Sequence, residues 1–218
     1  MDYGRLVWVP DQTWTASFIA NMTQGPVKTF GNFEKTYAVK LDWTGHRKNA
    51  SVIASSTERR SNELGFFGVW NATDPLLVYT EGRVAEAWDT SMLVGGSYTL
   101  DSSAMITVEG FYDRYGTVPL VENLPSRWQI LNGVWRPMVS TKVLMAQYNS
   151  GTRYRKFNFN LRADHILGDG TRGMAFTNYA LGNSLELWSV GIINGGAEGT
   201  RFRLYTDHVS LLGMTYTF

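Results

Sequence analysis

Lys156-Phe157-Asn158-Phe159-Asn160-Leu161-Arg162-Ala163-Asp164 alternates strictly, with Phe157, Phe159, Leu161 and Ala163 on one side and Lys156, Asn158, Asn160, Arg162 and Asp164 on the other. Successive side chains of an extended chain point to opposite faces, so this stretch predicts a strand with one apolar and one wet face. The same period recurs upstream. Tyr37, Val39, Leu41 and Trp43 alternate with Lys40 and Asp42. Met92, Val94, Gly96, Tyr98 and Leu100 interleave with Gly95, Ser97, Thr99 and Asp101; Ala104, Ile106, Val108, Gly110 and Tyr112 interleave with Thr107, Glu109 and Asp113. No 3.6-residue period interrupts the series.

Turn-forming clusters punctuate these runs: Pro10-Asp11-Gln12, Asp74-Pro75, Asp101-Ser102-Ser103, Pro137-Met138, Asn149-Ser150-Gly151, Gly168-Asp169-Gly170 and Gly182-Asn183-Ser184. Thr23 to Glu34, Arg114 to Ser126 and Asn194 to Thr200 are longer and more polar. Short turns at one rim and long loops at the other suit an all-β, closed antiparallel up-and-down barrel of about 12 strands (roughly 10 to 14), each near the ten residues that a tilted membrane strand needs. An even count is expected if both ends lie on one side, and one break between Arg127 and Thr171 does not fit the alternation of short and long connections.

Composition narrows the classes. The 218 residues suffice for one domain spanning 1–218, with 22 Gly, 8 Trp, 11 Tyr, 11 Phe, 18% charged residues and no cysteine. A formal net charge of +1 lacks the basic excess of a nucleic-acid binder. Without cysteine there is no disulfide or thiolate chemistry; the histidines are His46, His165 and His208, and neither metal nor cofactor is expected. No apolar run approaches the roughly 20 residues of a membrane helix. Met1-Asp2-Tyr3-Gly4 shows no signal peptide, so the expectation is a cytosolic protein or a mature form with an added Met.

Alternation alone does not separate a membrane barrel from a soluble sandwich or carrier, whose apolar face turns inward. Trp14, Trp43, Trp70, Trp128, Trp135, Trp188, Tyr37, Tyr112 and Tyr216 tilt the balance, because they fall near the ends of apolar faces, as in an interfacial girdle. The end of the chain is more specific. Leu212, Met214, Tyr216 and Phe218 form an apolar stripe in Gly213-Met214-Thr215-Tyr216-Thr217-Phe218. This segment resembles the final strand of bacterial outer-membrane β-barrels, in which a terminal Phe, an aromatic two residues earlier and a Gly five residues before the end are read by the assembly machinery. Leu211 departs from that pattern, standing where a polar residue is usual. The resemblance implies a bacterial outer-membrane location, with outer-membrane lipid, the barrel assembly machinery and small hydrophilic solutes as partners. Against it stand three Asn-x-Ser/Thr triplets at Asn21, Asn49 and Asn71.

The expected function is a channel for passive diffusion of small hydrophilic solutes, without enzymatic chemistry. Candidate pore-lining residues are Lys40, Asp42, Glu81, Glu109, Asp113, Lys156, Arg162, Arg201 and Arg203, whose basic members would favour anions. The same charges equally serve if they merely pair and solvate one another. Two alternatives stay open. One is a lipid hydrolase using the same-face pair His208 and Ser210, although its third partner would lie beyond Phe218. The other is a soluble small-ligand carrier lined by aromatics. Asp164-His165 and Asp207-His208 are adjacent pairs and face opposite ways on a regular strand, so neither forms a direct dyad.

Overall fold

A computed structural model describes residues 3–22, 25–27, 31–33, 35–58, 62–114, 142–151, 156–198, 200, 202–203 and 207–217. Its strands are β1 (Tyr3–Trp8), β2 (Trp14–Asn21), β3 (Gly25–Val27), β4 (Gly31–Phe33), β5 (Thr36–Gly45), β6 (Lys48–Thr57), β7 (Glu63–Asn71), β8 (Leu76–Ala85), β9 (Thr90–Thr99), β10 (Met105–Asp113), β11 (Lys142–Asn149), β12 (Phe157–Ile166), β13 (Gly170–Ala180), β14 (Leu185–Gly196) and β15 (His208–Tyr216). Thirteen of them make one sheet in the order β1-β2-β5-β6-β7-β8-β9-β10-β11-β12-β13-β14-β15, while β3 and β4 pair as a separate hairpin. Every pairing is antiparallel. The all-β, up-and-down architecture and the strand number agree with the alternation in the sequence.

The connections sort by rim as the chain path dictates. Residues 9–13, 46–47, 72–75, 100–104, 150–151 with 156, and 181–184 lie at one rim, and each joins its two strands over a short span of sequence. The chain leaves β2, β6, β8, β10, β12 and β14 at the other; of the long connections marked in the sequence, the one from Asn194 begins inside β14, and all of Arg114 to Ser126 after Arg114 lies outside the described residues. Gly168-Asp169 is the misfit: it is a tight turn at the long-loop rim, with Gly168 at φ 82°. Pro137-Met138 lies outside the described residues. The sheet of thirteen described strands is odd in number, so it begins at one rim and ends at the other, and the condition for an even count, both ends on one side, is not met. Twelve antiparallel steps, an even number, make β1 and β15, the two edges, run in the same direction.

Local chemistry explains the turns. At residues 9–13 the Asp11 carboxylate accepts the backbone N–H groups of Thr13 (2.7 Å) and Trp14 (2.9 Å), which turns the chain into β2. The unpunctuated His46-Arg47 turn, missed in the sequence, puts Arg47 at φ 59° and ties it to Asp74 in the next turn at 2.6 Å. Gly151 is required by shape: at φ +61° a Cβ there would come within 2.1 Å of the Ser103 carbonyl oxygen. Between β8 and β9 a single 3-10 turn, Glu86–Trp88, is the one helical piece among the described residues.

Candidate functional site

Cross-strand partners project to the same side of a sheet, so the register fixes the face of every strand residue. One row runs through Asp42, Ser51, Phe67, Glu81, Leu93, Phe111, Val143 and Ile166. The next row on that face runs through Tyr79, Gly95, Glu109, Met145, Asp164, Arg172 and Asn194. The opposite face carries Val39, Leu41, Val52, Val78, Val94, Val108, Leu144, Leu161 and Leu212.

Burial distinguishes the two faces in the reverse of the soluble pattern. Ser17 and Asp164 are 2% exposed on the polar face, whereas Val39 and Val108 are 55% and Leu212 86% exposed on the apolar face. A single-layered sheet achieves this only by curling with its polar side concave. Exposed apolar surface on this scale marks contact with something other than water.

The outward aromatic side chains collect at the short-turn rim. Trp8, Trp14, Trp43, Trp70, Tyr98, Tyr148, Phe157, Tyr179 and Tyr216 all sit there on the outer face, against Tyr37 and Tyr112 at the other rim. Trp14 and Trp43 pack with centroids 6.5 Å apart, and the Lys48 ammonium lies 5.0 Å from the Trp70 ring. Rings with a lysine among them suit the boundary between headgroups and water.

Ion pairs and hydrogen bonds order the inward side. Lys40 meets Asp42 at 2.7 Å, and the Ser51 hydroxyl donates to the same carboxylate. Arg83 donates to Glu63 at 2.9 Å and to Asp89 at 3.3 Å. Tyr79 reaches across β9 and donates to Glu109 on β10, over Gly95, where a Cβ would strike the ring at 2.6 Å. Buried Asp164 accepts from Arg162 (2.8 Å) and Arg172 (2.7 Å), and Arg172 also lies 4.8 Å over the Phe202 ring. Two guanidiniums on one carboxylate leave a local positive excess. Glu81 is exposed on this face and has no ion-pair partner among the described residues.

The architecture is porin-like. The chain is similar to an engineered protein studied for asymmetric conductivity, with a TM-score of 0.52, 9% identity and coverage of 99% of this chain and 84% of that one. It is also similar to two multiply substituted forms of Rh. blastica porin. One has a TM-score of 0.51 and 9% identity, covering 99% of this chain and 84% of that one; the other has 0.50 and 8%, covering 99% and 89%. At such identity the likeness concerns the fold. No protein-family model matches the chain, and no curated protein sequence does.

Within this porin-like sheet the candidate residues separate. Asp42, Lys40, Glu81, Glu109, Asp113 and Arg162 all occupy inward strand positions. Lys156 does not share the strand with Arg162: it lies in the turn before β12, exposed at the short-turn rim. Arg203 sits in the connection between β14 and β15, bound to Asp207 at 2.7 Å and to the Gly196 carbonyl. The Arg203 guanidinium holds the Asp207 carboxyl below the usual carboxylate range. Arg201 and Phe218 lie outside the described residues, as do Trp128 and Trp135.

Gly213 and Trp188 differ from expectation. Trp188 faces inward, not into the outer girdle, and its ring crosses Gly213, where a Cβ would come within 2.0 Å of it. Gly213 therefore has a local packing reason of its own. Tyr216 points outward at the short-turn rim. His208 and Ser210 share the outward face of β15, while Asp164 turns inward and His165 outward to Thr171 at 2.8 Å. Arg172, Arg83, Glu63 and Tyr79 were missed, because their neighbours, such as Gly82, Gly173 and Thr80, break the greasy half of the alternation.

Proposed function

We propose that the chain is a non-enzymatic channel of the bacterial outer membrane, closed into a barrel and passing small hydrophilic solutes by diffusion. The reversed burial of the two faces supports this most: apolar side chains stand exposed outside and charged ones are gathered within. Lipid would cover the outer face, and the barrel assembly machinery would insert it. Closure would satisfy the edge groups of β1 and β15, which lipid cannot. It would bring together two strands running in the same direction, a parallel seam in an otherwise antiparallel wall.

Selectivity follows the inward charges. Asp42, Glu63, Glu81, Glu109, Asp113, Asp164 and Glu186 face in against Arg5, Lys40, Arg83, Arg162 and Arg172. This balance favours cations. The basic patch expected to favour anions is dispersed, since Lys156 and Arg203 sit in rim connections and Arg162 is tied to Asp164. Single-channel recording after refolding into detergent, under a salt gradient, tests both points. Discrete current steps with a cation-signed reversal potential are expected; a detergent-independent soluble protein without steps overturns the channel, and an anion-signed potential overturns the charge assignment.

A further inference from the structure

We propose that a hollow in the inward wall between β5 and β10 binds small amphiphilic cations, an ammonium group carried on an apolar and preferably aromatic body; this deepens the channel assignment of the same face. The hollow measures about 400 Å³, within the range of small-ligand sites. Its apolar surface comes from Ile53, Phe67, Leu93 and Phe111, and Glu81 stands among them. Register explains the grouping: Phe67 pairs with Glu81, Glu81 with Leu93 and Leu93 with Phe111, so one row places the carboxylate between aromatic and aliphatic neighbours.

The space exists because residue 65 is glycine, since a Cβ there would come within 2.9 Å of Ile53 Cγ2. Charge then selects the occupant. The two cations at the hollow are already neutralised, Lys40 by Asp42 and Arg83 by Glu63 and Asp89. Glu81 has no such partner among the described residues, so the hollow presents an uncompensated negative charge beside apolar walls. An ammonium pairs with that carboxylate while its apolar body displaces water from the walls that Phe67 and Phe111 help to form. An anion of the same shape meets repulsion, and a cation without an apolar body leaves the walls wet.

Calorimetric titration of the refolded protein in non-ionic detergent with 2-phenylethylammonium tests this, with phenylacetate and tetramethylammonium as controls. Saturable binding of phenylethylammonium alone is expected, weakened about tenfold by Glu81→Gln, which removes a charge-assisted contact. Gly65→Val, which fills the hollow from the backbone side, should weaken it similarly. Equal affinity in E81Q, or phenylacetate binding as tightly, overturns the site. Titration in micelles needs no conduction: Glu81-dependent binding without current steps would sink the channel and keep the site, and current steps without binding would do the reverse.

Discussion

Tyr79 donates its phenolic hydrogen to Glu109 two strands away, and it does so by lying across Gly95 on the strand between them. The absent side chain makes the hydrogen bond geometrically available. Gly95→Ala should displace the ring, costing about 1–3 kcal/mol as an overpacking change, whereas Tyr79→Phe should cost about 1 kcal/mol for the lost bond. Urea unfolding in detergent micelles, followed by tryptophan fluorescence, measures both. A silent G95A would show that the ring has room to move.

Asp164 carries two arginines while almost wholly buried, with its side chain 3% exposed. Its removal leaves two partly exposed guanidiniums without their shared acceptor. Asp164→Ala should therefore destabilise by about 1.5–3 kcal/mol, more than loss of the exposed Arg47–Asp74 pair in Asp74→Ala, near 0–1 kcal/mol. Comparable effects of the two variants in the same unfolding assay would refute the difference in burial.

Neighbouring strands offer a direct test of which face meets lipid. Val108 projects outward from the middle of β10, and Gln147 inward from β11. If the apolar face lies in a bilayer, Val108→Arg should cost about 2–4 kcal/mol in liposome-folded protein while Gln147→Arg costs little. Reversed costs would place water outside and restore the soluble carrier.

The Trp188–Gly213 contact separates packing from recognition at the last strand. Gly213→Ala should lower the unfolding midpoint, and shortening the ring with Trp188→Leu should relieve most of that loss, a coupling of about 0.5–3 kcal/mol in a double-mutant cycle. Additive losses would leave Gly213 without a packing role.

Acid should loosen the connection between β14 and β15 late in a titration. Asp207 is held below its ordinary range by the hydrogen bond from Arg203, so the contact is fully present above the unfolded carboxylate value and is lost as pH falls through the lower folded one. Amide exchange at residues 202–203 and 207 should stay protected through mildly acidic pH and rise below it, and Asp207→Asn should abolish that pH dependence. Unchanged protection in the variant would remove the pair from the loop's stability.

Alternation by itself determined the strands, their approximate number and the face of each regular residue, because the period of an extended chain is fixed by backbone geometry. Lys40, Asp42, Glu109 and Arg162 could thus be placed on one side from sequence. Which side is concave could not, since a wet face suits either a lumen or a solvated exterior; the burial of Ser17 and Asp164 opposite exposed Val39 and Val108 decided it. Lys156 looked like a strand residue because it continues the parity of Asn158 and Arg162, and only the pairing of β12 with β13 shows where the ladder stops. Trp188 and Gly213, Tyr79 and Glu109, and Asp164 with Arg172 are far apart or unpatterned in the chain. Their meetings depend on register, a property of the assembled sheet, and so do the hollow at Glu81 and the same-direction edges of β1 and β15.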